Sequence, residues 1–69
     1  MTDWFRRHRI EWIIETMRIY GFMNREHIER KFRISTPQAS MDLRDAMKEN
    51  QWIKYDPHGK KYVYEVPEI

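Results

Sequence analysis

The chain has 69 residues, enough for one small domain, so residues 1–69 are read as a single unit whose core is only marginally large enough to fold alone. With no cysteine, neither a disulfide staple nor a Cys-based metal site can support it, and three Trp, three Phe, four Tyr and five Met must supply the packing. Thirteen basic residues against eleven acidic ones leave a net charge of +2, too little to name a nucleic-acid partner by itself. No apolar stretch approaches the ~20 residues that span a bilayer, and the N-terminus is too polar for a signal peptide. A cytoplasmic location away from membranes is the expectation.

The first predicted element is a helix from about residue 3 to residue 20. Ile10, Ile13, Ile14 and Met17 recur at the i, i+3, i+4, i+7 spacing of a buried stripe. Thr2 or Asp3 can cap its start, and Gly21 suits the left-handed residue that ends many helices. Phe5, Trp12 and Ile19 form a second apolar set on another side of the same helix. One face cannot bury both sets, so the second is expected either to be shielded by the C-terminal strand or to meet another protein, a second copy first of all.

Asn24 to Leu43 writes two short helices joined by a tight turn. Asn24 is a good N-cap for a helix of about 25–32, in which Ile28 and Phe32 share a face. Ser35 restarts the chain as the cap of a helix of about 36–50, with Gln38 placed for a Ser-x-x-Gln capping box and Pro37 in the first turn, where its missing N–H costs nothing. The pattern is that of a helix-turn-helix. Short polar side chains at the start of the second helix of such a unit reach base edges in a major groove. The expected base contacts are Thr36, Gln38, Ser40, Met41 and Arg44. Asn24, Arg25, Ser35 and Lys48 are placed for the sugar-phosphate backbone. Asp42, a poor contact for an anion, is expected to buttress this helix by pairing with a base from another element.

After the second of these helices the periodicity changes from 3.6 to 2. The alternating runs around Trp52–Asp56 and Lys61–Val66 flank Asp56-Pro57-His58-Gly59, whose residue types fit a type I turn. A hairpin over about 52–66 is predicted, and Pro67 ends its pairing in a short tail, 66–69. Three helices followed by a two-stranded hairpin make an α+β winged helix-turn-helix. Its wing presents His58, Lys60 and Lys61 to DNA. Basic residues also collect at 6–9 and 25–33, and the Arg6 to Arg9 cluster is expected to remain free to flank the duplex.

Enzyme chemistry fits poorly. His8, His27 and His58 lie on three elements without a second ligand at metal spacing. Glu11 and Glu15, four apart on the first helix, are better read as a solvated face paired with Arg7 and Arg18. Ser35 and Ser40 have no His and Asp beside them in sequence, and with only Gly21 and Gly59 there is no phosphate-cradling loop. No cofactor, metal or small-molecule ligand is expected.

The pattern Gly21, Met23-Asn24-Arg25, Phe32 to Leu43, Tyr55-Asp56 and Lys61-Tyr62 resembles the N-terminal winged-helix domain of bacterial WYL-domain transcriptional regulators, especially those of phage-defence loci. The Ile-Ser-x-Pro-Gln-Ala-Ser-x-Asp-Leu segment at 34–43 is its specific part. The resemblance implies operator binding as a dimer, usually in repression. The competing reading from the residues is a protein-interaction module of phage or mobile-element origin that docks on host machinery through Phe5, Trp12 and Ile19.

Overall fold

The computed structural model describes residues 2–67, with side chains from Trp4 onward. The expected Thr2 or Asp3 cap and the last two residues of the tail lie outside what is described. Six elements follow in order: α1 Thr2–Tyr20, β1 Phe22–Met23, α2 Arg25–Phe32, α3 Thr36–Glu49, β2 Ile53–Asp56 and β3 Lys61–Tyr64. Three helices with a C-terminal antiparallel hairpin constitute a winged helix-turn-helix-like α+β fold.

The stripe on α1 does what its spacing predicts. Ile10, Ile13 and Met17 are buried and Ile14 is half-buried beside them. They meet Ile28 of α2, Ala39, Leu43 and Ala46 of α3, Met23 of β1 and Ile53 of β2. Alanines at 39 and 46 let α3 approach closely, while Leu43 between them fills the centre.

Gly21 stops α1 with φ 89°, its N–H donating to Met17 O at 2.7 Å. The chain then re-enters the sheet at once, which sequence alone did not disclose: β1 pairs antiparallel with β3, giving the order β1-β3-β2. Two residues carry too little alternation to be read as a strand. The pairing ties the wing's second strand to the end of α1, with Tyr64 N–H donating to Gly21 O at 2.9 Å. Beyond the regular ladder of β2 and β3, Glu65 N–H donates to Trp52 O at 2.8 Å, one further pairing past the strand ends.

Both caps of the helix-turn-helix form, but their details differ from expectation. Ser35 Oγ accepts from Gln38 N–H at 3.3 Å, while the Gln38 amide does not fold back to complete a box; its Nε2 donates to Asp42 Oδ1 at 2.9 Å. A buried carboxylate one turn on is a stronger acceptor partner than the cap can offer. The reciprocal box occurs on α2 instead. Asn24 Oδ1 accepts from Glu26 N–H at 3.1 Å and His27 Nδ1 accepts from Asn24 N–H at 3.2 Å. Between the helices Arg33 takes the left-handed conformation, φ 55°, that closes α2 and turns the chain toward Ser35.

At the far end of α3, Asn50 joins three elements. Its N–H donates to Ala46 O, its Oδ1 accepts from Trp52 N–H at 3.0 Å, and its Nδ2 donates to the Tyr64 hydroxyl at 3.3 Å. Asn50 and Arg18, both donating to that hydroxyl, hold the Tyr64 phenol below its ordinary pKa, and the same contact raises Arg18.

Candidate nucleic-acid interface

α3 has two faces of opposite chemistry. Its acidic residues Asp42, Asp45 and Glu49 fall along one flank at helical spacing, and each is met by an arginine of α1. Arg9 grips the fully buried Asp42 with Nε to Oδ2 at 2.6 Å and Nη2 to Oδ1 at 3.3 Å. Arg6 pairs with Asp45, and Arg7 reaches both Glu49 and, at 3.5 Å, Glu11. The Glu49 hydrogen bond, with the nearby carboxylate charges, raises the Arg7 pKa. The expectation of a free Arg6 to Arg9 cluster flanking the duplex is therefore overturned for Arg6, Arg7 and Arg9. They meet α3 instead: Arg9 grips a fully buried carboxylate, and Arg6 and Arg7 form half-exposed surface pairs beside it. The expected base for Asp42 is Arg9.

The adjoining outward face carries Pro37, Met41, Arg44 and Lys48, all exposed and spaced to form one stripe roughly 16 Å long at 1.5 Å per residue. Met41 is 52% exposed although apolar. Among the described residues, no ion pair or hydrogen bond engages Arg44 or Lys48. Lys48 stands at the far end of the stripe, beside the Arg6–Asp45 and Arg7–Glu49 pairs. Thr36 and Ser35 are exposed at the near end, and half-buried Ser40 accepts from Arg25 Nη1 at 3.3 Å. Gln38, half-buried and bonded to Asp42, is withdrawn from the stripe.

Asn24 and Arg25 at the start of α2, Thr36 at the start of α3, and Lys60, Tyr55 and Tyr62 from the wing line one cleft of about 570 Å³, with Glu26 and Glu29 on its wall. The structure thus brings together the start of both helices and one wing cation. Lys60 and His58 are exposed. Lys61 is not beside Lys60 in this cleft; its Nζ lies 5.4 Å from the centroid of the Phe22 ring on β1. The hairpin turn is closed by Asp56 Oδ1, which accepts from His58 N–H at 3.1 Å. A Cβ at Gly59 would sit 2.8 Å from Asp56 Oδ2, so any larger residue there obliges the Asp56 carboxylate to shift. Lys60 follows with φ 54°.

The second apolar set of α1 divides. Phe5 and Ile19 are 57% and 63% exposed, joined at the N-terminal end by Trp4 at 64%. Trp12 between them is half-buried, edge-on to Phe32 of α2 at 5.3 Å with Lys31 Nζ 5.7 Å from its ring. Its cover comes from α2.

Among the described residues, no group of three or more His, Cys, Asp or Glu side chains converges to hold a metal ion, and no helix is long and apolar enough to cross a membrane. Neither a family model nor a curated protein matches this sequence.

Proposed function

We propose that this chain binds double-stranded DNA in a sequence-specific manner and regulates transcription, as a repressor that acts as a homodimer in the manner its resemblance to WYL-type regulators implies. The observation that carries this reading is the sorting of charge on α3. All three of its flanking carboxylates are consumed by α1 arginines, and the stripe left exposed is neutral or cationic. Coulomb repulsion by the acidic flank is thereby removed from a surface that would meet phosphate.

Arg44, at the centre of the stripe and without a partner among the described residues, is the residue assigned to a base edge, with Met41 and Thr36 as neighbours in the groove. Arg25, Ser35 and Lys60 are assigned to the backbone on either side. Lys48 and His58 extend that contact. Selection of duplexes from a random pool, followed by fluorescence anisotropy on the selected and on a scrambled duplex, tests the reading. Arg44→Ala should weaken the selected site by about 1 to 3 kcal/mol and the scrambled one far less. Equal losses on both would deny Arg44 a role in reading sequence, and no selected duplex at all would end the DNA proposal.

A further inference from the structure

On the other flank of α2 from the wing cleft lies a second concavity, of about 490 Å³, with buried Met23 and half-buried Trp12 at its base and Phe22, Thr16, Tyr20, His27, Arg30 and Lys31 around it. Its surface is mostly apolar, and the aromatic side chains that open onto it are well exposed: Tyr20 at 71% and Phe22 at 47%. Every ionisable side chain on its wall apart from the Tyr20 phenol is a base, and it contains no carboxylate. The rim is reinforced from the sheet, where Lys61 stands over the outer edge formed by Phe22. Neither Arg30 nor Lys31 has an acidic partner among the described residues; Lys31 rests on the Trp12 ring and Arg30 touches nothing charged.

We infer that this groove docks an acidic amphipathic segment of a partner protein, with apolar anchors seated on Trp12, Tyr20 and Phe22 and carboxylates on Arg30 and Lys31. Charge complementarity selects this occupant. A basic or purely apolar segment would leave Arg30 and Lys31 facing it without a counter-charge, whereas acidic residues flanking a Leu or Phe anchor satisfy them and shed water from the apolar lining. The groove and the wing cleft share no residue, and the outward stripe of α3 contributes none to it. The inference therefore does not depend on DNA binding and is tested separately.

The probe is a synthetic amphipathic helical peptide with Leu and Phe one turn apart, flanked by Asp and Glu. It is titrated into the full chain labelled for amide resonances, beside a peptide in which every acid is replaced by Lys. Saturable shifts confined to the amides of Tyr20, Phe22, Met23, His27, Arg30 and Lys31 are expected with the acidic peptide alone. Replacing both rim cations (Arg30→Glu with Lys31→Glu) should weaken that binding about tenfold or more, the sum of two exposed charge pairs. Because Lys31 also covers Trp12, Arg30→Glu alone serves as the variant with no packing role, and it should weaken binding in the same direction. Silent groove amides, equal binding of the basic peptide, or indifference to Arg30→Glu would overturn the inference. So would groove shifts that follow protein concentration without peptide, which would give the groove to a second copy of the chain.

Discussion

Asp42 ties α3 to α1. It is fully buried, yet three donors from Arg9 and Gln38 converge on its two oxygens. Removing one member of such a pair strands the other charge in a poor dielectric. Asp42→Ala should therefore cost about 3 to 5 kcal/mol, measurable by denaturant unfolding. A joint replacement of both partners by apolar residues, Arg9→Met with Asp42→Leu, should restore much of that loss, because neither charge is then left buried alone. A loss below 1 kcal/mol on Asp42→Ala, outside the ~3 to 5 kcal/mol range, would show that water relaxes into the site. The pairing of Asp42 with a base was legible, since a carboxylate on this helix is a poor contact for an anion and needs a cation elsewhere. The identity of the base was not, because a separation of 33 residues is set by how α1 crosses α3. The placement of Gln38 departs from its spacing for a related reason. Local spacing offered it the cap, and only the fold shows the buried carboxylate that competes for its amide.

Among the elements, the two turns that shape the site hold a cation where glycine would be cheaper. Arg33 between α2 and α3 and Lys60 in the wing both have positive φ, 55° and 54°. For a residue with a Cβ that conformation costs roughly 1 kcal/mol or more. Glycine at either place would relieve the strain, less the greater freedom it gives the unfolded chain. Arg33→Gly and Lys60→Gly are expected to raise stability by up to about 1 kcal/mol each in thermal unfolding. If Lys60 touches phosphate, Lys60→Gly should at the same time lower affinity for all duplexes and flatten its salt dependence. A variant more stable and equally avid at every salt concentration would take the wing out of the interface. The helices and hairpin were readable because caps, a proline and a change of period mark their limits. The strand β1 was not, since its two residues pair only because Gly21 turns the chain back alongside β3.

For the molecule as a whole, a single recognition helix reads only a few base pairs, and two-fold pairing would double the site. The exposed ends of the second apolar stripe, Phe5 with Trp4 and Ile19, are assigned to that contact; Trp12 is committed to Phe32 and makes an unsafe probe. Phe5→Glu should give a folded monomer with weaker binding to a two-fold site, read by sedimentation alongside anisotropy. A wild-type monomer at tens of micromolar that holds one half-site with full affinity would end the dimer proposal. The division of α3 into a braced flank and an idle one has a wider consequence. Pro37, Met41, Arg44 and Lys48 carry none of the core or the α1 bridges. Apart from Pro37, whose ring helps start the helix, these positions can change identity with little loss of foldability. On the proposed DNA-reading role of this stripe, new target sequences would be reachable by single substitutions, and a library randomised at 41, 44 and 48 should stay largely folded while its preferred duplexes diverge.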